Sequence, residues 1–110
     1  MPEENGGPLT PVVFHALLAL SEGPLHGYAI MQRVEDASGQ AMGPGTIYGA
    51  LRRLTDAGWL EETDAAGGGD ARRGRAFSLT GAGREALAVE ARRIRRLAGL
   101  AEIRRLAAEV

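Results

Sequence analysis

Two short strand-like segments separated by a glycine-rich stretch limit the possible folds of this chain more than any other feature. The segments read WLEETD, residues 59–64, and RAFSLT, residues 75–80, and AAGGGDARRG lies between them. Short runs of this kind bounded by glycine favour two strands joined as a hairpin. Every other patterned segment has helical spacing, so the sequence predicts a mainly α fold with a small β-hairpin.

Three helical segments precede the hairpin and one long segment follows it. Thr10 is a suitable N-cap, and the segment PVVFHALLALSE then runs to the glycine at position 23. The second helix is expected at about residues 26–37 and the third at about 44–57, each with apolar residues at helical spacing. The last helix begins after Thr80, another suitable N-cap, and extends toward the end of the chain.

Three helices followed by a two-stranded hairpin define a winged helix-turn-helix, in which the third helix enters a DNA major groove and the hairpin is the wing. We therefore predict a disordered tail over residues 1–8, a winged helix-turn-helix DNA-binding domain over 9–80 and a dimerisation helix over 81–110. A length of 110 residues agrees with a single small globular unit.

The third helix has a face that suits contact with DNA. Ile47, Leu51 and Leu54 share the core side at about 100° per residue. A glycine inside a helix costs about 1 kcal/mol relative to alanine, and at position 49 it faces outward, where bare backbone lets the helix approach base edges. The alternative is a solvated face with an incidental glycine, and this helix alone does not separate the two. The candidate DNA contacts are Gly45, Thr46, Tyr48, Gly49, Arg52 and Arg53.

The arginines of the wing support the DNA interpretation. Arg72, Arg73 and Arg75 follow the glycine run, and arginines on such a tip suit a phosphate backbone or a narrow minor groove. The alternative is a flexible tip with solvated charges. The formal net charge is −1, but residues 1–42 carry −4, residues 43–84 carry +1 and residues 85–110 carry +2. Local positive charge can steer DNA even when the whole chain is near neutral.

The first helix predicts a second chain. Nearly all of its positions are apolar, and a helix that is hydrophobic all round is buried on more than one side. A domain this small covers only one side of the helix, so we expect a homodimer. The alternative is an over-hydrophobic core helix with some apolar residues left on its surface. The last helix also carries an apolar face. The candidate dimerisation residues are Val13, Leu17, Leu87, Ile94, Leu97 and Ala101.

Other classes of protein fit the sequence poorly. There is no cysteine, which excludes disulfides and thiolate metal sites. His15 and His26 lack metal-ligand spacing, and no nucleophile motif is present, so we expect no metal, no cofactor, no catalytic residues and no enzyme activity. No apolar run has transmembrane length and the start is acidic and polar, which predicts a cytoplasmic protein without a membrane partner. Tyr28 and Trp59 are interpreted as core residues.

Three motifs resemble the PadR family of transcriptional regulators. LLALSEGPLHGYAIMQRVEDASG is similar to the family's first two helices, GPGTIYGALRRLTDAGWLEE to its recognition helix, and RRGRAFSLTGAGREAL to its wing exit. Together they cover residues 14–88 in the family's order, with the single C-terminal helix of its small subclass. The resemblance implies a repressor that binds an inverted repeat in double-stranded DNA as a homodimer, often released by a small hydrophobic or phenolic effector. It also implies that Gly45, Thr46, Tyr48 and Arg52 approach DNA.

The chain departs from the family pattern at three points. Gly49 stands where the family often has proline or a larger residue, and Phe77 where it often has tyrosine. The last helix has no aromatic residue, whereas in some multidrug-binding members one stacks on the ligand there. The alternative function is a winged helix that binds only protein, which predicts no salt-sensitive affinity for DNA.

Overall fold

The chain forms four helices and a small antiparallel sheet over residues 9–64 and 75–109, which are the residues described in the computed structural model. The helices are α1 (Pro11–Leu20), α2 (Gly27–Ser38), α3 (Pro44–Asp56) and α4 (Gly81–Ala108). The strands are β1 (Leu25–His26), β2 (Leu60–Thr63) and β3 (Ala76–Leu79). The predicted mainly α fold is confirmed. The predicted tail over residues 1–8 lies outside the described residues.

The core is formed where α1, α2, α3 and the sheet meet. Leu17, Ile30 and Leu51 are fully buried there, one from each of the first three helices. Trp59, which directly precedes β2, is buried in the same cluster. Tyr28 was expected in this core, and that interpretation is wrong. Its side chain is 58% exposed, on the solvent side of α2, and its hydroxyl oxygen accepts a hydrogen bond from Gln32 Nε2 at 3.1 Å.

The sheet has one strand more than the predicted hairpin. Its order is β1-β3-β2, with Leu25 opposite Phe77 and Leu60 opposite Leu79. β1 comes from the connection between α1 and α2, and its two residues are too few to show the alternation by which a strand is recognised. This strand ties the start of α2 directly to the wing.

The exit from α3 is fastened to the start of α4. Gly58 has φ +86°, a left-handed conformation that glycine adopts without strain, and the next amide donates to Leu54 O at 3.0 Å. Thr80 Oγ1 donates to Gly58 O at 2.6 Å and accepts from the amide of Gly83 at 3.1 Å. A Cβ at Gly83 would overlap the carbonyl oxygen of Trp59, so only glycine fits this close approach. These contacts fix the wing relative to α3.

Within the described structure, only the first part of α4 packs on the other elements. Gly83 and Glu90 are buried, and Ala86 and Leu87 pack against the core. The predicted boundary between residues 80 and 81 therefore falls inside one packed unit. From Ile94 to Glu109 every residue is exposed. None of the helices in the described ranges is long and apolar enough to cross a bilayer.

Candidate nucleic-acid interface

The turn between α2 and α3 is held by a side chain of α2. Glu35 Oε2 accepts a hydrogen bond from the amide of Met42 at 2.9 Å, just ahead of the first turn of α3. Gly43 occupies the N-cap position, and Pro44 opens the helix with the φ angle that a first helical residue needs. Gly45 and Thr46 are exposed in this first turn. The start of α3 is therefore both fixed and open to solvent.

The orientation predicted for α3 is confirmed, because Ile47, Leu51 and Leu54 are all buried. The opposite side, which we call the outer face of α3, is exposed apart from Gly49, which is half-buried. Neither Arg52 nor Arg53 forms a salt bridge within the described part of the chain. The outer face of α3 comprises Gly45, Thr46, Tyr48, Gly49, Arg52 and Arg53.

The bare backbone at Gly49 lies beside an arginine. A Cβ built there would have Arg53 Nη1 at 3.7 Å, which is ordinary van der Waals contact. A methyl group therefore fits at this position, but a larger side chain would meet the guanidinium. Asp56 lies one turn after Arg52 without pairing to it in the described structure, so both guanidinium groups remain available to an anion.

Tyr48 makes a contact with α2 that the sequence reasoning missed. A Cβ added to Gly27 would lie 2.5 Å from Tyr48 Cε1 and 2.8 Å from Tyr48 Oη, so the ring occupies the space that a side chain on Gly27 would fill. The rest of the ring is open, and Tyr48 is 40% exposed. The two residues lie on different helices that are joined by a turn, and no rule of sequence spacing connects them.

The wing has one arginine among the described residues. Arg75 pairs through Nη1 with Glu62 Oε1 across the base of the wing, and both side chains are largely exposed. A pair this exposed adds little to stability because water screens it. The carbonyl oxygen of Arg75 also accepts a hydrogen bond from the amide of Gly27 at 3.0 Å. Arg72 and Arg73 lie outside the described residues.

The candidate dimerisation residues fall into three groups by their exposure. Val13 and Leu87 are half-buried against the core, whereas Ile94, Leu97 and Ala101 are exposed on α4. Leu17 is 0% exposed in the single chain. Its assignment to a dimer surface is therefore wrong, because this side chain is already enclosed by its own protomer.

A buried carboxylate joins the start of the described chain to α4. Glu90 Oε1 accepts from Arg93 Nε at 3.0 Å and Glu90 Oε2 accepts from Arg93 Nη2 at 2.6 Å. The Arg93 side chain hydrogen-bonded to it lowers the pKa of the Glu90 carboxyl, outweighing burial, and a hydrogen bond from the Leu9 backbone acts in the same direction. The same contact raises the pKa of Arg93. The pair therefore stays charged near neutral pH.

No metal site is formed by the described residues, since nowhere in them do three His, Cys, Asp or Glu side chains come together. His15 Nδ1 is buried without a hydrogen-bond partner among the described residues, and its ring lies edge-on to that of Phe14 at 5.6 Å between centroids. Buried polar atoms usually find a partner. We assign no chemistry to this nitrogen.

Comparison with known protein families shows the family to which the chain belongs. Residues 16–89 match the family described as "Transcriptional regulator PadR-like family". The chain belongs to the PadR-like family. Its members are transcriptional regulators rather than enzymes. The match spans the whole of α2, α3 and the wing, and it ends within α4.

Several solved structures have the same fold. The chain of H. salinarum RosR is 22% identical, with a TM-score of 0.66 over 93% of this chain and 96% of that one. A PadR family transcription regulator from Clostridium difficile is 20% identical, with a TM-score of 0.66 over 83% and 94% of the two chains. Bacillus subtilis PadR, solved in complex with operator DNA, is 24% identical, with a TM-score of 0.57 over 74% and 46%. At these identities the likeness is one of fold.

A curated relative is more similar in sequence but much longer. An uncharacterized 37.1 kDa protein in a transposon of Streptomyces fradiae is 47% identical over 83 residues. The match takes in 76% of this chain but only 23% of that protein. The chain thus spans less than a quarter of the length of this relative.

Proposed function

We propose that this PadR-like regulator is a sequence-specific DNA-binding repressor that acts in the cytoplasm as a homodimer on an inverted-repeat operator. The observation that carries the proposal is the outer face of α3, which stands clear of the core with two arginines that pair with no described carboxylate. In a winged helix-turn-helix this helix is the one that enters the major groove. The solved complex of Bacillus subtilis PadR with operator DNA supports the same use of the fold.

The two arginines have different places on that face. Arg52 lies near the middle of the outer face, opposite the buried Leu51 side, and we assign it to a guanine edge, which a guanidinium contacts through two hydrogen bonds. Arg53 lies nearer the edge, beside Gly49, and we assign it to a phosphate. Gly45 and Thr46 bring the first turn of the helix close to the backbone of the duplex, where helix N-termini favour anions.

The wing supplies contacts that do not depend on base sequence. We assign Arg72, Arg73 and Arg75 to phosphates or to a narrow minor groove. Replacing Arg72 and Arg73 together by alanine is then expected to weaken binding to every duplex by a similar factor. It should lower the slope of log affinity against log salt by about 0.9 for each phosphate that the variant no longer neutralises. An unchanged slope would contradict the role of the wing.

The exposed part of α4 supports the homodimer. Ile94, Leu97 and Ala101 share one side of the helix, and such apolar surface is typical of a contact with another chain. Leu87 lies two turns before Ile94 on the same side of α4, and Val13 is the candidate contact on α1. Two α3 helices in a dimer would read two half-sites about one helical turn apart. Resemblance to PadR-type regulators further supports release from DNA by a small hydrophobic or phenolic effector.

The test is to select duplexes from a random pool with the purified protein and to footprint DNA upstream of its own gene. We expect an inverted repeat with half-site centres about 34–36 Å apart and an affinity that falls steeply with salt. A scrambled duplex of the same composition is the control. Absent or salt-insensitive binding would contradict the proposal and favour a winged helix that binds only protein.

A further inference from the structure

Gly27 is the residue at which the start of α2 meets both the wing and α3. It follows β1, it is the first residue of α2, and its amide donates to Arg75 O of the wing at 3.0 Å. Its missing side chain leaves the space in which the ring of Tyr48 from α3 lies, with Cε1, Oη and Cζ at 2.5, 2.8 and 2.9 Å from an ideal Cβ. Gly27 is itself buried.

The backbone at Gly27 does not require glycine. Its φ is not positive, unlike the φ angles of Gly23, Gly39 and Gly58. A first helical position accepts alanine, which is also the better helix former. An alanine would keep the amide that bonds to the wing. The only feature of glycine that this position uses is therefore the absence of a Cβ beneath the ring of Tyr48.

We propose that Gly27 and Tyr48 are a steric pair in which Gly27 seats the Tyr48 ring and thereby positions the outer face of α3 for DNA. The inference rests on the proposed function. A methyl group at position 27 would meet the far end of the Tyr48 side chain rather than backbone. The ring therefore gives way, while the fold of α2 and α3 is kept. The displaced ring then no longer packs on Gly27 and points outward from α3. In that position it obstructs the approach of the duplex.

The experiment is a double-mutant cycle on the full chain with Gly27→Ala, Tyr48→Ala and the two together. The probes are an operator selected from a random pool with the parent protein and a scrambled duplex. We expect Gly27→Ala to weaken operator binding by about 10-fold when Tyr48 is present and by less than about 2-fold when it is alanine, a coupling typical of residues in contact. The thermal midpoint of Gly27→Ala should stay close to that of the parent.

The matched control is Gly81→Ala. Gly81 is also the first residue of a helix, but a Cβ there meets no described atom within 4 Å. We expect its operator affinity to match that of the parent. Tyr48→Phe keeps the ring and removes the hydroxyl. It should keep the coupling to Gly27, and this result would assign the coupling to the ring rather than to the hydroxyl.

Three results would overturn the steric pair. Gly27→Ala could leave operator binding unchanged, it could weaken binding equally with and without Tyr48, or it could lower the thermal midpoint and both DNA affinities together. A parent protein that selects no operator would overturn the proposed function and the inference with it. A parent that binds its operator while the cycle is additive overturns only the inference.

Discussion

The replacement of Arg52 by alanine tests how α3 is turned toward DNA. Arg52 is exposed and has no salt bridge to any described residue, so its removal breaks no ion pair within that part of the fold. Alanine is at least as good a helix former, and surface changes of this kind alter the free energy of unfolding by about 0.5 kcal/mol or less. Any decrease in DNA affinity therefore reports the missing interaction between this guanidinium and DNA.

The expected size follows from the assigned contact. A guanidinium that pairs with a guanine through two hydrogen bonds contributes about 1–3 kcal/mol of discrimination, which is about 5- to 150-fold in each half-site. Arg52→Ala should therefore weaken binding to the operator much more than binding to a scrambled duplex. The ratio of the two affinities is measured by fluorescence anisotropy at several salt concentrations.

Arg53→Ala is the matched variant, one residue along the same helix. If Arg53 contacts a phosphate, its removal should weaken both duplexes by a similar factor and lower the salt slope by about 0.9 for each phosphate involved. The reasoning fails if Arg53→Ala narrows the ratio of operator to scrambled affinity while Arg52→Ala leaves it unchanged. In that case α3 is rotated in the groove relative to the face assigned here.

Three further outcomes are expected. Gly49→Leu should weaken operator binding despite its higher helix propensity, because the side chain meets the guanidinium of Arg53 and stands on the outer face of α3; circular dichroism verifies the fold. Leu97→Glu should shift the protein from dimer to monomer in sedimentation, whereas Gly99→Glu, in open space on another side of the same exposed segment, should not. The pKa of Glu90 is lowered in the folded chain, so its contribution to stability is complete above the ordinary value of 4.5 and is lost as the pH falls below it. Glu90→Gln should flatten this acid dependence of the thermal midpoint.

The orientation of α3 could be predicted because the information is local. Ile47, Leu51 and Leu54 recur at helical spacing, and that spacing alone decides which side of the helix is buried. Both predicted N-caps are confirmed for the same reason. Thr10 Oγ1 accepts from the amide of Val13 at 3.3 Å, and Thr80 Oγ1 accepts from the amide three residues later at 3.1 Å. A cap needs only the few residues that follow it.

The contacts that join distant parts of the chain could not be predicted. The place of Gly83 against the carbonyl of Trp59 depends on how α4 leaves the sheet, and the place of Gly27 against Tyr48 depends on how α2 crosses α3. A glycine in a sequence shows that something approaches closely or that the backbone turns, but it does not show what approaches. The exposure of Tyr28 was missed for a related reason. An aromatic residue on a half-buried helix is compatible with both the core side and the solvent side.

The first helix shows why an apolar pattern can predict contact with a second chain without identifying the residues that make the contact. In a helix that is apolar on all sides, no single face is marked as the buried one. Its sequence therefore does not say which residues the protomer itself encloses. The structure buries Leu17 and leaves Leu18, the next residue, 46% exposed. Most of the unpartnered apolar surface is instead on α4, where large aliphatic side chains from Ile94 to Leu106 stand exposed at every third position. A spacing of three turns the stripe by about 60° at each step of a 3.6-residue helix, so a straight partner lying parallel to α4 would cover only part of it. The proposed homodimer therefore depends on Leu97 and its neighbours more than on α1, and a charge at that position is the sharper test of it.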